Sequence, residues 1–439
     1  MQSLASPGEL TVATVLADVA IVLVVGYVFG RWLRRLGQPV VIGEILAGIA
    51  LGPSLLGLLP GNPTAVIFPA EARPYLSAIS QVGLLLFMFL VGWEFDRRVL
   101  ARRKTMTVSV SLCSIALSFA LGVGLAALIY DDHAVVAGKK VPFVAFALFL
   151  GAAMSITAFP VLARILKDRR LVNTEVGSLA LASAAIDDVL AWCILALVAA
   201  IATARDGVDL VQIAALSAAY IAVMIAVVRP LLAAFVRRVA LLNRPAFLVV
   251  FIAAGVFLSS YATTWVGIHA IFGAFIFGLI MPREPVEQLG RQIREPFEHI
   301  GMVLLPVFFI VTGLSVDIAS LTFANYLELG AIILVAVAGK TIGAATPALA
   351  LGLPAREART LGILMNTRGL TELIVLNVGV SLGVLDSQMF TMMVIMALVT
   401  TAMAGPLLPK PTWPSSTDDT GPAPAGRERE LAHAAGKPA

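Results

Sequence analysis

A helix needs about 20 apolar residues to cross the hydrocarbon of a bilayer, and this chain of 439 residues repeats such a stretch thirteen times. The stretches fall at roughly 10–33, 38–59, 76–95, 106–130, 142–166, 175–204, 209–236, 245–262, 265–281, 300–316, 325–353, 358–384 and 387–408. Lipid offers backbone groups no hydrogen-bond partners, so each stretch must be helical. The expected fold class is an all-α polytopic membrane protein. Composition agrees, with 59% hydrophobic and 13% charged residues, where a soluble domain carries about 25% charged. No basic residue precedes the first stretch, so it reads as a retained helix and not a removed leader. Residues 409–439 are rich in Pro, Gly and charge and read as a disordered tail, too short and polar to build a core. Function is therefore expected within 1–408, the membrane domain.

An odd number of spans puts the termini on opposite sides, and basic residues choose the sides. Of the 31 Lys and Arg, 25 fall in the tail or in loops after odd-numbered spans. Only Arg73, Lys139, Lys140 and Arg205 face the other way, while Lys340 and Arg368 lie inside spans. The positive-inside rule then places the N-terminus outside and the C-terminus in the cytoplasm of a plasma-membrane protein. The net charge of +4 is a matter of topology and implies no nucleic-acid partner. Cys113 and Cys193 sit in apolar runs and are expected to be buried small hydrophobes. Asp96 and Arg97 read as interfacial anchors at a span end.

Within the sixth span, Asp187 and Asp188 stand side by side with no other charge from Val176 to Ala204. Burying an acid at that depth costs roughly 2.5–3.5 kcal/mol or more, so such a residue marks a functional site. A pair calls for a cation. Adjacent helical residues lie about 100° apart, so one carboxylate can face a cavity while its neighbour turns to another helix. Asp188 is assigned as the cation and proton ligand and Asp187 as the partner of Lys340, the reverse assignment being the alternative. Both would hold a monovalent cation only in transit.

Three other spans break the apolar pattern, the eleventh with Lys340, the only charge between Glu328 and Arg356 and one that needs an acidic partner. In the fifth, Ser155-Ile156-Thr157-Ala158-Phe159-Pro160 carries a proline whose missing bond Ser155 and Thr157 could replace. In the twelfth, Asn366-Thr367-Arg368-Gly369 is an equally poor helix interior, followed by Glu372. Arg368 and Glu372 either pair with each other structurally or border an ion path. Interrupted helices at matching places in two inverted halves point to a transporter's binding site. The halves would be spans 1–6 and 8–13, with span 7 as linker, and the charges would compensate the half-helix ends.

Taken together, Gly43-Glu44-Ile45-Leu46-Ala47-Gly48, Leu51-Gly52-Pro53-Ser54, Thr157 to Arg164, Asp187-Asp188, Gly273-Ala274-Phe275, Lys340 and Asn366 to Asn377 resemble motifs of the cation:proton antiporter superfamily. The branch is that of bacterial sodium/proton and potassium-efflux antiporters and plant endomembrane cation/proton exchangers. The resemblance implies a core of spans 4–6 and 11–13 that slides against a panel of spans 1–3 and 8–10 by an elevator motion. It also implies a homodimer built on the panel, Na+ or K+ and H+ as substrates, and no cofactor. An acid at Asp187 looks like the electrogenic members, whereas the potassium-efflux and plant members usually lack it. Glu44 is either a gate or structural element facing the core, or a residue bonded within its own helices.

His269 reads as a packed polar residue. His133, His269, His299 and His433 are scattered and form no catalytic cluster, so no enzyme is expected. A cation-coupled solute symporter or a cation channel of the same inverted-repeat design is the alternative.

Overall fold

The computed structural model describes residues 6–94, 104–172, 174–203, 207–240, 245–282 and 290–408. Each expected span coincides with one helix or with a pair of consecutive helices. The first three spans are α1 (Pro7–Arg35), α2 (Val40–Leu51) and α4 (Arg73–Glu94), with the short α3 (Pro63–Ile67) between the last two. Spans four to six are α5 (Lys104–His133), the pair α6 (Phe143–Ser155) and α7 (Phe159–Asp168), and α8 (Glu175–Thr203). The seventh is α9 (Gly207–Val223) running through a π turn at Met224–Val228 into α10 (Arg229–Ala240). Then follow α11 (Pro245–Val266), α12 (Ala270–Ile280), α13 (Glu295–Leu314) and α14 (Phe323–Ala350). The pair α15 (Ala355–Met365) and α16 (Leu370–Ser381) and finally α17 (Ser387–Leu407) complete the bundle. Among the described residues, ten helical runs are long and apolar enough to cross a membrane, and the shorter apolar helices include α6 and α12.

Local chemistry accounts for the helix ends. Ser6 and Glu9 form a capping box on α1, Thr322 and Asn325 another on α14, and Asp386 caps α17. The structure departs from expectation in four places. The helix of span two stops at Leu51, not near 59, because Gly52-Pro53 ends it. The added α3 starts at Asn62, whose side chain accepts the Ala65 N–H, with Pro63 in its first turn. A small hairpin pairs Val135–Val136 with Lys139–Lys140, the only strands among the described residues. Both cysteines are exposed on the bundle surface, since an apolar helix face turned outward accommodates a small thiol as readily as the interior does. Asp96, Arg97 and the tail lie outside the described residues.

Helix contacts fall into two sets. In one, α4 packs on α12 and α13, α2 on α1 and α13, and α11 on α12. The other is built round α5, which lies against α14, α6 and α8, while α14 also meets α15 and α17. The main cluster of buried apolar side chains runs through both sets, from Phe89 and Phe275 to Phe149 and Met393. Between α5 and α14 the backbones approach closely: a Cβ at Gly339 would lie 2.9 Å from Ser118 Cα. Small residues at such a seam replace the hydrophobic drive that lipid cannot supply. The close seam carries Lys340 into the interior, where it is fully buried.

Candidate functional site

Two interruptions meet at the centre of the second set. The first is extended backbone at Ile156 and Ala158, between α6 and α7. The second separates α15 from α16 at residues 366–369. They hold each other: the Ala158 N–H donates to the Thr367 carbonyl at 3.1 Å, and Thr157 Oγ1 lies 3.0 Å from the Met365 carbonyl and 2.9 Å from Asp187 Oδ2, its single proton shared between the two acceptors. Backbone groups that lipid could never satisfy are thus paired across the crossing. Gly369 lies so near α7 that a Cβ there would sit 2.5 Å from Val161 Cγ2. Pro160 does not cause the break as expected. It occupies the first turn of α7, where its missing N–H has no intrahelical partner to lose.

Arg368 lies inside the second interruption and bridges to the first. Its Nη1 donates to the Ala153 carbonyl at 2.9 Å and to Glu372 Oε2 at 2.7 Å, and Nη2 donates to the Met154 carbonyl at 2.6 Å. The guanidinium therefore caps the C-terminal end of α6, where orphan carbonyls amount to about half a negative charge. Thr401 Oγ1 of α17 in turn donates to the Arg368 carbonyl at 2.7 Å.

The aspartates divide. Asp187, fully buried, is saturated: Ser111 donates to Oδ1 at 2.5 Å, and Thr157 and Lys340 Nζ donate to Oδ2 at 2.9 and 2.8 Å. Asp188 is 7% exposed, meets the Phe159 backbone N–H at the start of α7, and leaves Oδ1 without a partner. One turn further along α8, Trp192 packs against Phe272 and Phe275 of α12 with its own indole N–H unpaired. Asp187 thus turns into the second set of helices, and the Asp188 side of α8 turns toward the first. Ser155 does not join the carboxylates, since its hydroxyl donates to the Ala152 carbonyl of its own helix at 2.8 Å. Asn366 and Glu372 are buried at the crossing, each with one side-chain oxygen unpaired.

Glu44 lies on α2 beside Gly26 of α1, and the charge of Arg164 on α7, across the boundary between the two sets, acts on it. At the same boundary a cavity is lined by Ile42 and Ile45 of α2 and by Val161, Gly369 and Leu373 near the crossing. His269 caps α12, accepting the Ile271 N–H on Nδ1 at 3.4 Å. Ser111, Trp192 and Asp18 are among the buried residues with polar groups that escaped the sequence reading. Ser111 and Trp192 carried no signal there, being ordinary residues in apolar runs. Asp18 did carry one: it is an acid within the apolar run of α1, buried with Oδ2 unpaired, and as conspicuous there as Asp187 is in α8.

Residues 19–413 match the family described as sodium/hydrogen exchanger, transmembrane. The chain is 40% identical over 403 residues to the Na+/H+ antiporter NhaS4 of Synechocystis sp., covering 91% of this chain and 97% of that protein. It is 38% identical to cation/H+ antiporter 15 of Arabidopsis thaliana, over 92% of this chain and 48% of that protein. With K+/H+ antiporter 1 of Saccharomyces cerevisiae the identity is 33%, over 84% of this chain and 43% of the other. The chain thus spans nearly all of the cyanobacterial relative and about half of the plant and yeast ones. Among solved structures it resembles the sodium proton antiporter MjNhaP1 from Methanocaldococcus jannaschii, with a TM-score of 0.61 over 90% of this chain and 96% of that one. At 16% identity that likeness speaks for the fold.

Proposed function

The chain belongs to the sodium/hydrogen exchanger family, and on that premise we propose that it exchanges Na+ or K+ for protons with Asp188 as the acid that both ions share. The supporting observation is the contrast at 187 and 188: one carboxylate has all its partners, and its neighbour has an oxygen with none. A buried carboxylate in that condition is stabilised by a proton or by a partly dehydrated cation, and the two exclude each other. Competition for one carboxylate is what couples the two fluxes.

Thr157 ties Asp187 to the crossing, while Lys340 neutralises it, so a single uncompensated acid remains for the substrate. Ser155 serves the end of α6. Electrogenic exchange needs more than one proton per cation, and the groups at hand to carry them are Asp188 and the Asp187–Lys340 pair. Arg368 with Glu372 compensates the interruption itself.

Movement follows the two sets of contacts. A core of α5–α8 and α14–α17 carries the loaded site past a panel of α1–α4 and α11–α13, with α9 and α10 as the linker. The charge of Arg164 acts on Glu44 across that boundary, which suits a gate. The panel is the surface for a homodimer. The membrane we assign is the plasma membrane, and the distribution of basic residues supports an N-terminus outside and a C-terminus in the cytoplasm.

The test is proton-gradient dequenching in proteoliposomes with lithium, sodium, potassium or rubidium added in turn. Cation-driven proton release by the native chain, absent in Asp188→Asn, is expected. Cation uptake without proton release would overturn antiport and favour a symporter or channel.

A further inference from the structure

We infer that His133 is the pin of a pH-responsive clasp that holds α5, α14 and α17 together at the end of the bundle remote from the crossing. His133 is the last residue of α5, just past the apolar stretch ending near residue 130 and ahead of the hairpin that bears Lys139 and Lys140. It is nevertheless 1% exposed. Its Nδ1 lies 2.6 Å from Asp386 Oδ2, and its Nε2 lies 3.1 Å from Glu328 Oε2.

Both carboxylates are themselves held in place. Asp386 Oδ1 accepts the Met389 N–H at 2.7 Å as the cap of α17, and Glu328 Oε2 accepts from Asn325 Nδ2 at 3.2 Å. Phe146 of α6 stacks on the imidazole, with centroids 6.5 Å apart. On its own element the neighbouring acids Asp131 and Asp132 are exposed, as are Lys139 and Lys140 of the hairpin.

A neutral imidazole has one N–H and one bare nitrogen. Here each nitrogen faces a carboxylate oxygen, so the arrangement is satisfied only by the doubly protonated ring. Losing one proton turns a lone pair toward a carboxylate and removes the charge that binds both acids. The consequence reaches the site, because each clasped helix carries one of its residues: Ser111 on α5, Lys340 on α14 and Thr401 on α17. His133 sits ~22 Å along α5 from Ser118, which touches Gly339. Alkalinity on the face that His133 borders therefore loosens the core without touching Asp188, and the inference stands whichever aspartate binds the cation.

The chain's four histidines make a direct test practical. Nitrogen-15 NMR of histidine-labelled protein in detergent reads the protonation of each ring. The His133 signal is identified by its loss in His133→Gln or, should that variant not fold, by its survival when the other three are replaced by Gln. The expected result is a doubly protonated His133 near pH 7 that loses its proton at least about one pH unit lower in Glu328→Gln. Thermal stability of the native chain should fall by ~3 °C or more across the same titration. A neutral His133 near pH 7, an unmoved titration in Glu328→Gln, or a flat thermal profile would each overturn the clasp.

Discussion

Lys340–Asp187 and Arg368–Glu372 are both fully buried ion pairs, with bonds of 2.8 and 2.7 Å, but they differ in what else they touch. Arg368 also donates to the Ala153 and Met154 carbonyls, so its removal would leave both without a partner. Asp187 spends its oxygens on Ser111 and Thr157, which are side chains, and beside it stands a carboxylate that nothing neutralises. Buried pairs are poor evidence of stability in general, because desolvation offsets their attraction. One pair here closes an interrupted helix. On the proposed function, the other prepares its neighbour to bind a cation.

If that contrast is right, the largest effect belongs to Asp188. Asp188→Asn should reduce proteoliposome exchange to the background of empty vesicles while the protein still elutes as a folded species. Exchange that persists would hand the ligand role to Asp187. Next comes Arg368→Ala, which strands Glu372 and two carbonyls. It should cost ~3–5 kcal/mol, seen as loss of the cooperative thermal transition in detergent; a variant as stable as the native chain would mean that Arg368 is no cap.

Asp187→Asn tests the other pair and should leave the fold and part of the exchange intact while abolishing sensitivity to a clamped membrane potential. If the rate of the native chain is already indifferent to potential, Asp187 and Lys340 carry no second proton. Ser111→Ala removes one of three bonds to Asp187, a loss of about 1 kcal/mol. Its cation KM should move by less than about tenfold, and a complete loss of transport would promote Ser111 to the binding site. Exchange by the native chain should fall as the medium is acidified, since protons then hold Asp188 against the cation.

The paired charges were only half legible in sequence. Asp187, Asp188, Lys340 and Arg368 stood out because charge is rare in an apolar run, and the assignment of Lys340 to Asp187 matches the bond observed. Their other partners did not stand out: Ser111 lies 76 residues from Asp187, and the Ala153 carbonyl lies 215 from Arg368. A carbonyl has no sequence signature at all. The position of the first break was misread for a related reason, because Pro160 draws the eye while the interruption lies upstream of it, where the second broken helix supplies the bonds. His133 looked isolated because Glu328 and Asp386 are 195 and 253 residues away.

What the sequence by itself determined was which apolar runs are helical and the depth of the charges, since the bilayer favours a helical backbone for an apolar run and makes a buried charge conspicuous. Only the tertiary structure decided which acid is left over. That outcome depends on how two interrupted helices and a glycine-lined seam bring Thr157, Ser111 and Lys340 to the same carboxylate, and distance in space is not written in the order of the chain.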